Sequence, residues 1–187
     1  MIRLATATDF DAIAAITNHY IRTTAIHFGY EEVSADELRT TWRSTIDVYP
    51  WLVTTDRDGA PLGYAKSSVW RGRAAYRYIT ETGIYLEPRS LHRGLGAPLY
   101  SRLLAVLRAQ GFHAALGGIA LPNPASVRLH ERLGFVHTGT VPRAGRKFDR
   151  WHDVGFWHLP LQPVDHTPRE LLTPAAAFAA TANDSAS

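Results

Sequence analysis

No cysteine occurs among the 187 residues. Disulfides, thiolate metal sites and a cysteine nucleophile are thereby excluded, while the redox compartment is left open. There is also no apolar run of the roughly eighteen residues that a membrane-crossing helix needs. The opening MIRLATATDFDAIAAI passes directly into a strand-and-helix pattern without a hydrophobic signal region, so a soluble, cytoplasmic protein without membrane contact is expected. Runs of like charge are missing as well. Lys and Arg are scattered, and a net charge of +3 with a pI near 9.4 does not indicate a nucleic-acid partner. What is present is an ordinary globular composition, with 45% hydrophobic and 11% aromatic residues, enough at this length for one buried core. One domain is expected over residues 1–162. Residues 163–187, PVDHTPRELLTPAAAFAATANDSAS, lose periodicity and read as a loose tail.

IRLA opens as a short strand, and Asp9 begins a helix with Ile13, Ile16 and Tyr20 on one face. Ser34 and Glu37 have the spacing of a capping box, and Leu38, Trp42 and Ile46 follow at steps of four until Tyr49-Pro50 stops that helix. WLVTT, DRDG and APLGYAKSSVW read as an antiparallel hairpin, with YRYITETGIYL as the next strand. Farther on, AALGGIAL, FVHTGT and DVGFWHL are strands, and residues 124–133 form a short helix. Helices alternate with strands only in the second half. The expected fold is therefore α/β (α+β), a mixed and mostly antiparallel central sheet flanked by helices.

RSLHRGLGAPLYSRLLAVLRAQG carries the most informative junction. Leu95, Leu99, Leu103, Val106 and Leu107 form an apolar stripe, and Gly111 is a stop. Pro98 is tolerated only in a first turn, which places the helix start near Gly94 or Leu95. The free amides of about residues 93–97 then point outward at the positive pole of the helix, and Gly94 and Gly96 permit close approach, which together make an anion site. A dinucleotide fingerprint fails because Leu99 stands where its third glycine belongs, and no Gly-Lys-Ser/Thr exists for a P-loop. A solvated turn using glycine only for geometry is the alternative.

LHRGLGAPLY and the later ALPNPASVRLHERLGF resemble the acetyl-CoA-binding core of the GNAT acyltransferases, whose signature is Gln/Arg-x-x-Gly-x-Gly/Ala. NHYI, YPWLV, WRGRAAY, the SVRLHE and LGF blocks, and WHDVGFW are similar to the phosphinothricin and methionine sulfone or sulfoximine N-acetyltransferase branch of that family. These blocks run from Asn18 to Trp157. Leu91 stands at the Gln/Arg position of the signature.

The resemblance implies acetyl-CoA as co-substrate, a homodimer, and roles for named residues. His92, Arg93, Gly94, Leu95, Gly96 and Ala97 would cradle the pyrophosphate, and the backbone of Ile84, Tyr85 and Leu86 would meet the pantetheine arm as an added strand does. An N–H there would face an oxyanion. Glu81 would be the general base for the amine, its pKa raised by burial or its proton passed through a water. Asn123 reads as a helix N-cap before Pro124, and the family adds a cofactor contact. His130, in step with Val127 and Leu133, faces inward and would be catalytic or positioning, where a satisfied core histidine is the plain alternative. Phe28, Arg71, Arg73, Ala74, Ala75 and Tyr76 would line the acceptor pocket, the two arginines holding an anionic group. The alternative there is a solvated loop.

His152 and His158 are six apart and His130 and His137 seven apart, neither a zinc spacing, so no metal is expected. Trp151, Phe156 and Trp157 are expected in the core. The implied activity is direct acetyl transfer to the α-amine of a small amino acid in a ternary complex, because no cysteine or G-x-S-x-G elbow exists to carry the acyl group. A GNAT enzyme of other specificity (a protein N-terminus, a polyamine or an aminoglycoside) and a non-catalytic acyl-CoA-binding module are the alternatives.

Overall fold

The computed structural model describes residues 1–183. Seven strands make one sheet: β1 (Ile2–Leu4), β2 (Trp51–Thr55), β3 (Pro61–Val69), β4 (Ile79–Leu86), β5 (Ala114–Ala120), β6 (Val136–Lys147) and β7 (Arg150–Pro160). Their order is β1-β2-β3-β4-β5-β7-β6, and only β4 and β5 run parallel. The mixed, mostly antiparallel sheet expected from the sequence is thus present. Its helices are α1 (Phe10–Thr23), α2 (Ala35–Thr45), α3 (Gly96–Gln110), α4 (Pro124–Arg132) and α5 (Pro174–Asn183).

Alternation along the strands divides the core in two. Trp51, Val53 and Tyr64 pack with Phe10, Ile13, Ile16, Tyr20 and Trp42 of α1 and α2. Leu52 and Ala65, one residue out of phase, pack with Leu99, Leu103 and Leu107 of α3. The sheet is therefore covered on both faces. Ser34 closes α2 as read, its hydroxyl accepting from Glu37 N while the Glu37 carboxylate takes Ser34 N. Gly111 ends α3 in the left-handed region at φ 99°, and its N–H bonds to Arg108 and Leu107.

Three expectations change. The α3 helix starts at Gly96, a residue or two later than expected, because His92 (φ 61°) and Gly94 (φ 76°) are left-handed and keep the preceding loop out of helix. Trp151 is 59% exposed, on the long β6–β7 hairpin, whereas Trp157 is core and Phe156 half-buried. Residues 171–183 are not loose. The α5 helix lies on α3, where the Arg102 guanidinium donates to the carbonyls of Phe178 and Thr181 and stacks on the Phe178 ring at 4.2 Å. Ala177 is fully buried, and Gln110 ties Leu172 O down at 2.8 Å. An alanine-rich helix has almost no amphipathic contrast, which is why periodicity failed to reveal it. The last four residues of the expected tail lie outside the described residues.

Candidate functional site

The parallel pairing of β4 and β5 ends at Thr82 opposite Gly117, although β4 continues to Leu86 and β5 to Ala120. The strands splay, and a cleft of about 340 Å³ opens between them, with Gly83, Ile84 and Leu86 on one wall, Gly118 and Ile119 on the other, and α4 at one side.

The register decides what this cleft offers. Glu87 N bonds Leu62 O across the β3–β4 pair, so by alternation Tyr85 and Gly83 also spend their backbone groups on β3. Ile84 and Leu86 therefore turn theirs toward the cleft, where the Leu86 carbonyl accepts from the Tyr20 hydroxyl at 2.7 Å. Of the three residues expected to meet an extended arm, two present backbone groups and Tyr85 does not. Its ring lies on the opposite face, stacked on Tyr64.

His92 and Gly96 line the cleft's other end together with Leu91. Left-handed backbone at His92 and Gly94 makes successive N–H groups converge, the geometry of an anion-binding nest. Arg93 and Gly94 are exposed, and Leu95 and Ala97 half-buried, beside it. Asn123 caps α4 through Oδ1 to Ser126 N at 3.2 Å and also lines the cleft.

His130 projects from α4 into the wall beside Thr82 and is 3% exposed. Its Nδ1 lies 2.8 Å from Ser126 O, which can only accept, so Nδ1 carries the proton and Nε2 accepts from Tyr100 OH at 3.0 Å. Tyr100 OH is 2.7 Å from Thr82 Oγ1, which also reaches Leu116 O at 3.0 Å. Burial pushes the His130 pKa down, partly countered by the bond to Ser126, and pushes the Tyr100 phenol up. The ring is neutral near neutrality, with both nitrogens engaged. Neither Tyr100 nor Thr82 was singled out by the sequence; the step of eighteen residues between them carries no local signal.

Glu81 occupies the sheet face that carries α1 and α2. Its Oε1 lies against Gly118, where a Cβ would stand 3.2 Å away, which sets the carboxylate beside a residue that lines the cleft. Burial raises its pKa, and the nearby Lys66 ammonium partly lowers it. Lys66 shares that face and lies over the Trp51 ring at 4.5 Å. It also escaped the sequence reading, although period-two alternation from Tyr64 would have placed it on a core-facing row.

The loop after α1 is held over this face by β6. Lys147, 4% exposed, donates from Nζ to Ile21 O (2.5 Å) and His27 O (2.6 Å), and Tyr30 OH bonds Arg146 O. Phe28 lies on Gly145, where a Cβ would meet its ring at 2.6 Å. Arg71, Arg73, Ala74 and Ala75 are exposed in the β3–β4 connection. The chain bends there instead of running extended, and a short 3-10 turn (Ala74–Tyr76) follows. Arg71 covers the Trp70 ring at 4.9 Å, and Trp70 meets Tyr76 edge-on at 5.1 Å. Among the described residues neither arginine forms an ion pair, and no group of three or more His, Asp or Glu side chains gathers as a metal site.

A splayed parallel pair, a nest of free amides at a helix entrance and a half-buried carboxylate across the sheet define an acyl-transferring class of protein. The model of the acetyltransferase (GNAT) domain matches residues 2–155, and the chain belongs to that family. A phosphinothricin N-acetyltransferase of Streptomyces viridochromogenes is 42% identical over 166 residues, covering 87% of this chain and 90% of the relative. A methionine sulfoximine/methionine sulfone acetyltransferase of Salmonella typhimurium is 38% identical over 86% of this chain and 94% of its own length. The crystal structure of a GNAT superfamily phosphinothricin acetyltransferase from Sinorhizobium meliloti in complex with acetyl-CoA superposes with a TM-score of 0.87 at 32% identity, covering 95% and 97% of the two chains.

Proposed function

We propose that this enzyme transfers the acetyl group of acetyl-CoA to the α-amine of a small amino acid such as phosphinothricin, methionine sulfone or methionine sulfoximine, and that it confers resistance where phosphinothricin is the toxic herbicide. The observation carrying the reading is the cleft itself. Its wall supplies strand-edge groups at Ile84 and Leu86 that no neighbouring strand pairs, its mouth a nest of amides at residues 92–97, and the Glu81 carboxylate lies beside Gly118 of its far wall. Acetyl-CoA fits this donor set, with pyrophosphate at the nest and the amide-bearing arm along β4. Relatives named for these amino acids support the acceptor class.

Glu81 takes a proton from the acceptor ammonium, because only the free amine has a lone pair for attack; burial makes it a stronger base than an exposed carboxylate. The Ile84 N–H, turned into the cleft, faces the negative charge that builds on the thioester oxygen. His130 accepts from the Tyr100 hydroxyl and, through it, positions Thr82 at the cleft wall; the departing thiolate takes the proton that the acylated nitrogen sheds as the amide forms. Arg71 and Arg73 hold the acceptor's polar head, with Phe28 and Tyr76 as apolar walls.

The catalytic domain spans residues 1–162 in a cytoplasmic enzyme that acts without nucleic acid or membrane. Exposed Val136, Val141, Phe148 and Trp151 along the β6–β7 hairpin support a homodimer. No helix among the described residues is long and apolar enough to cross a membrane. A thiol-release assay with acetyl-CoA across the three amino acids, glutamate and a polyamine tests the proposal. Turnover of the polyamine alone would overturn it.

A further inference from the structure

Two opposite charges stand on the α1/α2 face of the sheet without meeting. Lys66 is directly across from Gly83, and Glu81 directly across from Ser68, so the pair are diagonal neighbours on adjacent antiparallel strands. Diagonal neighbours on one face have Cα atoms about 7–8 Å apart, within reach of long side chains. Yet they do not pair. Lys66 leans over Trp51, its neighbour on β2, and Glu81 leans the other way onto Gly118 of β5. Neither side chain has a hydrogen bond or an ion pair among the described residues. Between them the floor is Gly83, whose missing side chain leaves only Tyr85 in contact distance, at 3.7 Å.

Leaving an ammonium half-buried without a partner is costly unless something completes it. The Trp51 ring face offers part of the compensation. If Lys66 served only to neutralise Glu81, direct contact would be the lower-energy arrangement, and the flexible stems of both side chains would allow it. The separation has the polarity of a zwitterion, with an anion acceptor on the β3 side and a cation acceptor on the β5 side. A free α-amino acid presents its carboxylate and ammonium on adjacent atoms and would satisfy both ends at once. Arg71 and Arg73, exposed in the loop beyond β3, are left for the distal head group.

We propose that Lys66 and Glu81 form a clamp for the α-amino-acid moiety, Lys66 Nζ binding the α-carboxylate while Glu81 receives the α-ammonium whose proton it removes. The inference rests on the α-amino-acid reading above and makes Lys66 the residue that distinguishes an amino acid from a simple amine.

Methionine sulfone and its decarboxylated counterpart, 3-(methylsulfonyl)propylamine, separate the two questions, because their heads are neutral and identical. In the wild type the amino acid should have the lower KM. Lys66→Met should raise the KM for methionine sulfone by about tenfold or more, the scale of a hydrogen bond to a charged group, and affect that for the amine far less. Lys66→Arg should recover most of the loss. Acetyl-CoA affinity by calorimetry reports intact folding, and Lys66→Gln replaces the Met variant if that affinity falls. A wild type that prefers the amino acid, with a variant that keeps the preference, overturns the clamp alone. A wild type indifferent to the carboxylate, or inactive on both compounds, overturns the α-amino-acid reading and the clamp with it.

Discussion

Gly117→Ala is a single methyl added at the point where α4 meets the sheet. The backbone at Gly117 is not left-handed, so nothing but space demands glycine there. A Cβ would stand 2.5 Å from His130 Nε2 and 2.6 Å from its Cδ2, about 1 Å inside ordinary carbon contact. The imidazole cannot easily yield. It is packed edge-on against Tyr100 at 5.0 Å and Phe135 at 4.9 Å, and Ser126 O holds Nδ1. Displacing it adds overpacking, about 1–3 kcal/mol, to the loss of the Tyr100 bond, about 0.5–1.5 kcal/mol, for a total of about 1.5–4.5 kcal/mol. Equilibrium urea unfolding reads this as a lower midpoint at unchanged slope. The sharper test is the double variant. His130→Ala alone leaves a cavity and an unpaired phenol, but in its presence the Gly117 methyl enters vacated space, so the two changes should be sub-additive by at least about 1 kcal/mol. A Gly117→Ala protein of wild-type stability, or strictly additive losses, would refute the assigned His130 geometry.

Glu81→Gln keeps shape and removes the base, so kcat should fall by about two to four orders of magnitude with acetyl-CoA affinity preserved, measured by steady-state kinetics and calorimetry. In the wild type the base must be ionised, and because burial raises its pKa, the acid limb of kcat/KM should rise with pH through a value above the ordinary carboxylate range; a limb at the usual glutamate value would show that another group is titrating. Gly96→Val should weaken acetyl-CoA binding strongly in calorimetric titration while Leu91→Ala changes it little, since a Cβ at Gly96 has room against Leu129 and Leu86 at 3.7 Å and the block falls on the ligand, not on the fold. Arg73→Ala should raise the KM for phosphinothricin by at least about tenfold and affect the neutral-headed methionine sulfone less; equal losses would move this arginine to a group common to both substrates.

Local pattern by itself determined the elements that repeat a rule within a few residues. The Ser34 capping box, the α3 stripe with its Gly111 stop, the Asn123 cap before Pro124 and the strand around Glu81 are all settled by neighbours within one or two turns of chain, and each appears where the pattern puts it. The motif blocks carried the family as well. Tertiary structure alone decided what those elements do to one another. Parallel pairing stops at Thr82 and Gly117 because the two strands diverge, and only then do Ile84 and Leu86 face the cleft without a strand partner. The Thr82–Tyr100–His130 chain joins a strand and two helices, and Lys66 is set diagonal to Glu81 by sheet register, so no spacing in the sequence encodes either. Conversely, α5 lacks an amphipathic pattern and is held by Arg102 of α3, while Gln110 ties down Leu172 just before it, contacts between residues more than sixty positions apart. Periodicity reports how one segment divides its own faces between core and water; it carries no information about which distant side chain completes a hydrogen bond or a charge.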